Sequence, residues 1–442
     1  MARPSTSLKR ILALGSRAGW RSQRGQAQAG DVIRLGHALL SERGEVSGAR
    51  VAGELLAAYS GLEPPAREAF FDLLSASFLP DPEDIARAAE AYATAPAADT
   101  LLRLQAATET RRQELFRRLN LASGGTAALI EMRRHLLATL RDHPERAGVD
   151  ADLAHLFRSW FNGGFLVLRR IDWRTSAVVL ERLIQHEAVH QIQGWSDLRR
   201  RLEADRRCYA FFHPALPDEP LIFIEVALTE RMSAGIRPLL DPEAPVLDPA
   251  HARCAVFYSI THCQEGLRGI SFGSLLIKQV VEDLNRNFPR VKTFASLSPI
   301  PDFRKWLAMI PESADGVRRD PAFAAFLARL ESRTAPVMHD TISGDLRDEL
   351  TRLCSYYLMH ARKGKAPFDS VARFHLANGA RLERLNWMAD RSESGIRRSF
   401  GLMANYLYRL NDLERNHESY AREYEVVASR EIERLAKQSR LA

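Results

Sequence analysis

Cysteine is the scarcest residue type with distinctive chemistry in this chain. The 442 residues include four cysteines, and no two of them form a C-x-x-C pair: Cys208, Cys254, Cys263 and Cys354. This usage argues against a disulfide-bonded scaffold and against a structural zinc site built from cysteines. We therefore expect a protein of a reducing compartment whose thiols serve as small core side chains.

Long apolar runs are also missing. A membrane span needs roughly 18 unbroken apolar residues, and no segment approaches that length, so no membrane partner is expected. The net charge of +7 comes from 62 Lys and Arg against 55 Asp and Glu, which suits an anionic ligand, a nucleic acid or simply a basic surface. Because no basic run with interleaved aromatics and no known nucleic-acid motif occurs, we expect no nucleic-acid partner.

Acidic residues are absent from the first thirty positions, which carry six Arg and Lys among several Ser and Ala. This composition is typical of an organelle transit peptide or of a disordered basic leader. We favour a disordered leader over residues 1–30. The corresponding localisation is cytoplasmic, with a mitochondrial localisation as the alternative.

The first third of the chain has the periodicity of helices. Apolar residues recur near a 3.6-residue period over 101–119, 129–140 and 153–161, with breaks at Ser123-Gly124-Gly125 and at His143-Pro144. Short breaks between amphipathic helices favour an antiparallel bundle. We predict an all-helical N-terminal domain over residues 31–161.

The composition changes after Asn162. Runs rich in β-branched and aromatic residues, bounded by Pro, Asp or Gly, predict strands over 165–171, 208–212, 221–228, 255–260 and 293–297. Residues 273–285 have a helical pattern, and helices are expected again from about Leu346 onward. The fold class is therefore α+β, with a mixed α/β domain over residues 162–442. A chain of this length is expected to form two domains.

Two short motifs are typical of other enzyme classes. His186-Glu187-Ala188-Val189-His190 matches H-E-x-x-H, in which two histidines on one helix face bind zinc and the glutamate acts as base. The longer metzincin pattern fails, because Gln193 replaces its glycine and Ser196 its third histidine. We therefore predict no metal site here.

The second motif, Gly269-Ile270-Ser271-Phe272-Gly273, matches the G-x-S-x-G elbow of serine hydrolases. That elbow needs a strand ending directly at the motif, whereas the preceding strand is expected to end near Thr261. The same segment, from Arg268 to Ser274, forms a basic, glycine-containing turn before a helix. Such a turn can bind phosphate oxygens through backbone N–H groups, as the pyrophosphate turn of GNAT-type acetyltransferases does, or it can be a loop and helix cap without a ligand.

Several separated motifs then occur in one order along the chain. They are Phe257-Tyr258-Ser259-Ile260, the turn 268–274, Phe294 to Phe303 with its Ser298-Pro299-Ile300-Pro301 core, Val371 to Ala380, Leu385 to Asp390 and Gly401 to Tyr406. Together, over about residues 160–410, they resemble the malonyl-CoA decarboxylase family. Asp302 departs from the family pattern, which usually has Gly there, and Ser271 stands where some members have Glu.

The resemblance implies a GNAT-like catalytic domain and a helical domain used for homo-oligomerisation, as a tetramer. It implies that malonyl-CoA binds along the turn, at Arg268, Gly269, Ile270, Ser271, Phe272, Gly273 and Ser274, and also at Ser298 and His375. It further implies that His375 is the catalytic proton donor and Ser298 the proton acceptor. A carboxy-lyase of fatty acid metabolism is thus expected, with a GNAT-like acyltransferase or a non-catalytic acyl-CoA sensor as alternatives.

No cofactor is expected for this reaction. Loss of CO2 from malonyl-CoA leaves negative charge on C2, and the neighbouring thioester carbonyl can delocalise that charge as an enolate. The protein has to align the breaking bond, place donors where charge develops and deliver a proton to C2. Imidazole suits the last task because it titrates near neutral pH.

Overall fold

In the computed structural model of the protein, the described residues are 25–41, 44–270, 272, 276–313, 344–439 and 441. They form two compact units. The first comprises the chain as far as Phe165 together with His213–Pro217 and Gln264–Phe272, and the second comprises Leu166–Phe212, Asp218–Cys263 and the chain from Gly273 onward. The leader predicted over 1–30 lies outside the described residues as far as position 24, and residues 25–30 belong to a helix.

The first unit is helical. Its α-helices are α1 (25–41), α2 (Glu45–Ser60), α3 (Pro64–Ala76), α4 (Pro82–Thr94), α5 (Ala98–Thr108), α6 (Arg111–Asn120), α7 (Gly125–Thr139) and α8 (Ala147–Trp160). Aromatic side chains such as Phe71, Phe116 and Phe157 are fully buried between them. The helical pattern predicted over 101–119 is divided between α5 and α6.

The predicted break at Ser123-Gly124-Gly125 is confirmed as a tight corner between α6 and α7. Gly124 adopts a left-handed conformation with φ of 72°, which glycine accepts without a side-chain clash. A Cβ atom on Gly125 would lie 2.0 Å from the carbonyl oxygen of Leu119. Glycine is therefore required at 125 for the two helices to pack this closely.

The second unit is built on an eight-stranded mixed sheet. Its strands are β1 (Val167–Ile171), β2 (Arg206–Phe212), β3 (Ile222–Thr229), β4 (Cys254–His262), β5 (Thr293–Ser296), β6 (Ser298–Pro299), β9 (Arg381–Asn386) and β10 (Met403–Tyr408). They are arranged in the order β1-β2-β3-β4-β5-β10-β6, and β9 also pairs with β10. Two further strands, β7 (Arg362–Lys363) and β8 (Ala366–Pro367), form a separate hairpin.

Helices cover this sheet. They are α9 (Ala177–His186), α10 (Trp195–Arg201), α11 (Arg237–Leu240), α12 (Leu276–Asn287), α13 (Phe303–Ser313), α14 (Gly344–His360), α15 (Ser370–Ala377), α16 (Glu393–Ser399), α17 (Leu413–Glu423) and α18 (Arg430–Lys437). One apolar core packs α9 and α10 against β2 and β3, with Leu183, Leu198 and Phe223 at its centre. No helix in the described part of the chain is long and apolar enough to cross a membrane.

Neighbouring strands of the sheet separate beside β4 and β5, which are the only parallel pair among the described strands. β4 runs parallel to β5, and the two pair only from Cys254 to Phe257. Beyond Phe257, β4 continues to His262 while pairing with β3 alone. On the other side, β6 turns away to pair with β10, where Ser298 lies opposite Ala404. A cleft therefore separates the second half of β4 from β6.

The predicted fold class is confirmed: a helical N-terminal part is followed by a mixed α/β part. Each of the five predicted strands is present within two residues of its expected ends. The expectation of helices from Leu346 onward was incomplete, because β9 and β10 lie there. All six residues of β10 are buried, so its sequence lacks the polar and apolar alternation that marks a half-buried strand. The predicted domain boundaries stay a prediction.

Candidate active site

Ser298 and His375 meet in the second unit, although 77 positions separate them. Ser298 begins β6 at the edge of the cleft, and His375 lies in the last turn of α15. The distance from Ser298 Oγ to His375 Nε2 is 2.7 Å, and both side chains are buried. The structure thus brings together the two residues singled out by separate sequence motifs.

Each residue of this pair forms a further hydrogen bond to another side chain. Ser298 Oγ donates to Ser296 Oγ at 2.8 Å; the two serines lie two positions apart and so face the same side of the chain. At the other end, His375 Nδ1 and the hydroxyl of Tyr408 are 2.5 Å apart. The ring of Tyr406 stacks on the imidazole at 4.5 Å. A four-residue chain of hydrogen bonds results, with Tyr406 fixing the plane of the ring.

The directions of these bonds select one form of His375. Since the Ser298 O–H is directed at Ser296, the Ser298 oxygen accepts from Nε2–H of His375. Nδ1 is then unprotonated and accepts from the Tyr408 O–H. The Nε2 hydrogen of a neutral imidazole therefore points at Ser298, and Tyr408 can supply a proton to the opposite nitrogen.

Burial determines the charge of the residues in this chain of hydrogen bonds. Burial lowers the pKa of His375 to about 3, because the surroundings cannot solvate an imidazolium. Burial also raises the pKa of the Tyr408 phenol above its ordinary value. Both groups are neutral near pH 7, so these hydrogen-bonded side chains are uncharged before they transfer a proton.

The helix that carries His375 is anchored by Asp369. One Asp369 oxygen accepts hydrogen bonds from the backbone N–H groups of Val371 and Ala372, at 3.0 and 2.8 Å, which caps the first turn of α15. The other oxygen accepts from the Tyr357 hydroxyl at 3.2 Å. Burial raises the pKa of this carboxyl to about 6. Asp369 therefore fixes the start of α15 and, through it, the position of His375.

A cavity of about 240 Å³ opens onto this pair from the cleft. Its walls are the second half of β4, the start of β6, α15 and Val189. The lining residues are Val189, Phe257, Tyr258, Ser259, Ile260, His262, Ser298, Pro299, Ser370, Val371, Phe374 and His375. Most of the lining is apolar, with hydroxyl and imidazole groups at a few points. Such a site suits a small acyl group held by a few polar contacts.

The H-E-x-x-H segment forms a turn behind the cavity, where the zinc motif would require a continuous helix. α9 ends at His186, so His186 and His190 do not share a helix face. Glu187 is buried, and one of its oxygens accepts from the backbone N–H groups of Val189 and His190 at 2.7 and 2.8 Å. Its other oxygen accepts from Ser259 at 2.7 Å. Glu187 thus ties two parts of the cavity wall together.

The turn proposed to bind phosphate is described in part. Ser271, Gly273 and Ser274 lie outside the described residues, whereas Arg268, Gly269, Ile270 and Phe272 lie within the first unit. Gly269 has a φ of 78°, and the side chains of Ile270 and Phe272 are buried. A ligand at this turn would therefore meet backbone groups and Arg268 rather than these two side chains.

The turn is fastened to α7 of the same unit. Arg133 Nη1 donates to the carbonyl oxygens of Gly266 and Arg268 at 2.7 and 3.0 Å, and its Nε donates to Asp150 at 2.7 Å. A Cβ on Gly266 would lie 2.0 Å from the carbonyl oxygen of Ile130. The turn is consequently held by a buried cation and by close backbone packing.

Sequence reasoning missed four contributors to the site: Tyr406, Tyr408, Ser296 and Asp369. Tyr406 ends one of the motifs used above, and Ser296 lies inside another, but neither had a chemical reason to be singled out. Tyr408 lies two positions after Tyr406 on the same strand face. Once β10 is known to be a strand, this spacing explains why the rings of both tyrosines contact His375.

The chain matches two family models in succession. Residues 78–161 match the malonyl-CoA decarboxylase N-terminal domain, and residues 164–441 match the malonyl-CoA decarboxylase C-terminal domain. The mitochondrial malonyl-CoA decarboxylase of the goose Anser anser anser is 34% identical over 471 aligned residues, which cover 96% of this chain and 93% of the relative.

Solved structures agree with these matches. The malonyl-CoA decarboxylase of Rhodopseudomonas palustris superposes with a TM-score of 0.87 at 48% identity, covering 92% of this chain and 99% of that one. The malonyl-CoA decarboxylase of Agrobacterium vitis gives a TM-score of 0.86 at 46% identity, with the same coverage. By sequence and by structure, the chain belongs to the malonyl-CoA decarboxylase family.

Proposed function

We propose that this protein converts malonyl-CoA to acetyl-CoA and CO2, with Ser298 and His375 as its catalytic residues. The observation that carries the proposal is their 2.7 Å hydrogen bond at the wall of a mainly apolar cavity. Membership of the family supports the substrate and the reaction. Removal of malonyl-CoA and supply of acetyl-CoA would place the enzyme in fatty acid metabolism.

The bond-breaking step needs a fixed orientation of the malonyl group. The C–C bond to the carboxylate has to lie parallel to the π system of the thioester carbonyl, so that its electrons become the enolate as CO2 leaves. A cavity of about 240 Å³ restricts the acyl group to few orientations, and such restriction lowers the barrier. The hydroxyl of Ser298 is placed to donate a hydrogen bond to the malonyl group once substrate replaces its bond to Ser296.

The protonation step follows from the form of His375. Its Nε2–H transfers a proton to C2 of the enolate while Nδ1 takes the proton of Tyr408, and solvent then restores the phenol. Overall, the reaction consumes one malonyl-CoA carboxylate and one proton and releases one acetyl-CoA and one CO2. In the resting site Nε2–H of His375 is the donor of the hydrogen bond to Ser298, which supports the role of proton donor for His375; the role of proton acceptor for Ser298 is proposed on the family resemblance.

The CoA part of the substrate is proposed to bind along residues 268–274. Gly269 is exposed and adopts a left-handed conformation that glycine accepts without strain, and the exposed Arg268 supplies a positive charge for phosphate oxygens. Arg133 holds the carbonyl groups of this turn in place. These features favour a phosphate-binding turn over a loop without a ligand.

The direct test is incubation of the purified protein with malonyl-CoA while acetyl-CoA and CO2 are measured. Decarboxylation without any added acceptor supports the proposal. Acyl transfer that requires an added amine or alcohol would show a GNAT-like acyltransferase instead. Tight binding of acyl-CoA without turnover would show a sensing module.

Assembly as a homotetramer through the helical domain is also proposed, on the family resemblance alone. Light scattering at working concentration tests it, with a mass of about four times the 49.8 kDa chain expected. A cytoplasmic location is proposed because all four cysteines are free and buried, as suits a reducing compartment. The curated goose relative is named as mitochondrial, and cell fractionation distinguishes the two compartments.

A further inference from the structure

A second cavity, of about 590 Å³, lies in the second unit at the other end of β3 and β4. It includes Thr229, which pairs with Cys254 at the start of β4, whereas the active-site cavity uses the strand from Phe257 onward. Its walls come from the start of β2, the end of β3, α11 and β9. We call it the arginine cavity, because Arg200, Arg206, Arg231 and Arg384 line it.

Asp205 is the one acidic side chain in this lining. Four guanidinium groups and one carboxylate leave an excess of three positive charges around the cavity. Arg231 is exposed to solvent and Arg384 is half-buried, so water screens these two charges in part. Arg200 and Arg206 are nearly inaccessible, so their charges have to be balanced within the protein.

Asp205 provides only part of that balance. Arg200 contacts its two oxygens at 2.7 and 3.2 Å, and Arg206 Nη1 contacts it at 2.8 Å. Although burial raises the pKa of Asp205, the hydrogen bond from Arg200 and the charge of Arg206 hold it below its usual value. The buried group of Arg200, Asp205 and Arg206 therefore keeps a net positive charge. A buried charge without a counter-charge is costly.

Hydrogen-bonding capacity is also left unused at this cavity. Nε of Arg206 is buried and has no hydrogen-bond partner among the described residues, whereas Nη1 and Nη2 of the same guanidinium donate to the carbonyl oxygens of Asp205 and Leu239 at 3.1 and 2.8 Å. Arg384 makes two long hydrogen bonds, of 3.2 and 3.3 Å, to Asn405 and to the carbonyl oxygen of Ser233. Guanidinium groups in this state match the oxygen atoms of phosphate or carboxylate groups.

We propose that the arginine cavity is a second binding site, for a small molecule that carries an oxyanion group with at least two negative charges. The excess charge of the buried group and the two outer arginines define where that oxyanion binds. The cavity is larger than one phosphate or dicarboxylate requires and lies within the usual size range of ligand sites. It therefore has room for an organic molecule attached to the anionic group.

The test is calorimetric titration of the full-length protein with inorganic phosphate, and separately with malonate as a dicarboxylate, at constant ionic strength. Saturable binding of at least one probe is expected. Arg231→Gln and Arg384→Gln should each weaken it by about tenfold or more, because each removes one charged donor. Arg237→Gln is the matched control, since Arg237 is exposed on α11 and does not line the cavity.

Arg268→Gln serves as a second control, because phosphate bound at the proposed CoA turn would be lost in that variant and kept in the cavity variants. Binding of phosphate but not malonate assigns a phosphorylated ligand, and the reverse assigns a dicarboxylate. The proposal is overturned if neither probe binds saturably. It is equally overturned if Arg231→Gln and Arg384→Gln both bind as the wild type does, or if only Arg268→Gln loses binding.

Discussion

The protonation state of His375 is set by its surroundings rather than by the imidazole itself. The ring is 2% exposed, stacked on Tyr406 and bonded at both nitrogens. A histidine with an ordinary pKa would be partly charged near neutral pH and would form an ion pair with the malonyl carboxylate. Such an ion pair would stabilise the substrate more than the enolate and slow the loss of CO2. A neutral ring avoids this cost.

Replacement of Tyr408 by Phe tests the proton chain at the level of one atom. The change removes the hydroxyl 2.5 Å from His375 Nδ1 and keeps the ring. We expect kcat to fall by about 100-fold or more with little change in KM, because general acid catalysis contributes factors of about 100 to 10,000. Tyr406→Phe is the control, since the ring that stacks on His375 is retained. Equal kcat values for the two variants would contradict a role for Tyr408 in the chain.

The low pKa of His375 also predicts how stability depends on pH. Between about pH 3 and 6.5 the unfolded chain binds a proton at His375 that the folded protein does not. Stability should therefore be lost as pH falls from 7 to 5, by about 2 kcal/mol from this residue. Denaturant unfolding of the wild type and of His375→Asn at both pH values isolates this contribution, because the other histidines are common to both proteins. An equal loss in the two proteins would show that His375 titrates normally.

The pH profile of turnover follows from the same group. If His375 has a pKa of about 3, its protonation cannot produce an acid limb near pH 6.5 in the profile of kcat/KM.

At the scale of single elements, Glu187 gives the H-E-x-x-H motif a structural role. The end of α9 turns the H-E-x-x-H segment into a loop, and the Glu187 carboxylate satisfies two backbone N–H groups of that loop and the Ser259 hydroxyl. Val189 and Ser259, which Glu187 connects, both line the active-site cavity. The residue is therefore a brace for the cavity wall.

Glu187→Ala should lower the free energy of unfolding by about 1–3 kcal/mol, because it removes the acceptor of two half-buried N–H groups and one of the two hydrogen-bond partners of the buried Ser259 hydroxyl. Chemical denaturation measures this change. The control is Glu181→Ala on the exposed face of α9, for which a change within about 0.5 kcal/mol is expected. Activity that disappears on treatment with a chelator would instead favour the zinc interpretation of the motif.

The turn at Arg268 is the element on which CoA affinity is proposed to depend. Arg268→Gln removes the charge that would meet phosphate oxygens and leaves the carbonyl group held by Arg133 in place. We expect KM for malonyl-CoA to rise by about tenfold with kcat unchanged, because this contact is equal in the ground state and the transition state. Steady-state kinetics measure both constants, with Arg158→Gln as the control. A fall in kcat at constant KM would place Arg268 in the chemical step instead.

The sequence allowed good prediction of elements whose patterns are local. The strands before residue 300 have β-branched and aromatic runs between turn residues, and the helices of the first unit have clear periods and glycine breaks. β10 could not be predicted in this way, because it lies between β5 and β9 and is buried throughout. It forms a strand because it pairs with β5, β6 and β9, which are distant in sequence, and a local sequence pattern does not show such pairing.

At the scale of the whole molecule, the proposed catalytic pair could be predicted only through the resemblance to a family. Ser298 and His375 have weak local signals, and the stronger motifs, H-E-x-x-H and G-x-S-x-G, favour other chemistry. Their contact depends on β6 turning toward β10 and on Asp369 fixing the start of α15. The hydrogen bond to Tyr408 and the low pKa of His375 are consequences of tertiary packing, which sequence motifs do not show.

The central claim, that His375 delivers the proton in malonyl-CoA decarboxylation, is tested most directly by the rate of acetyl-CoA formation in His375→Asn. The account predicts a rate at least about 100-fold below the wild type, with binding of CoA largely retained. His155→Asn, which alters an exposed histidine on α8, should turn over malonyl-CoA at the wild-type rate. A His375→Asn protein that forms acetyl-CoA as fast as the wild type would contradict the account.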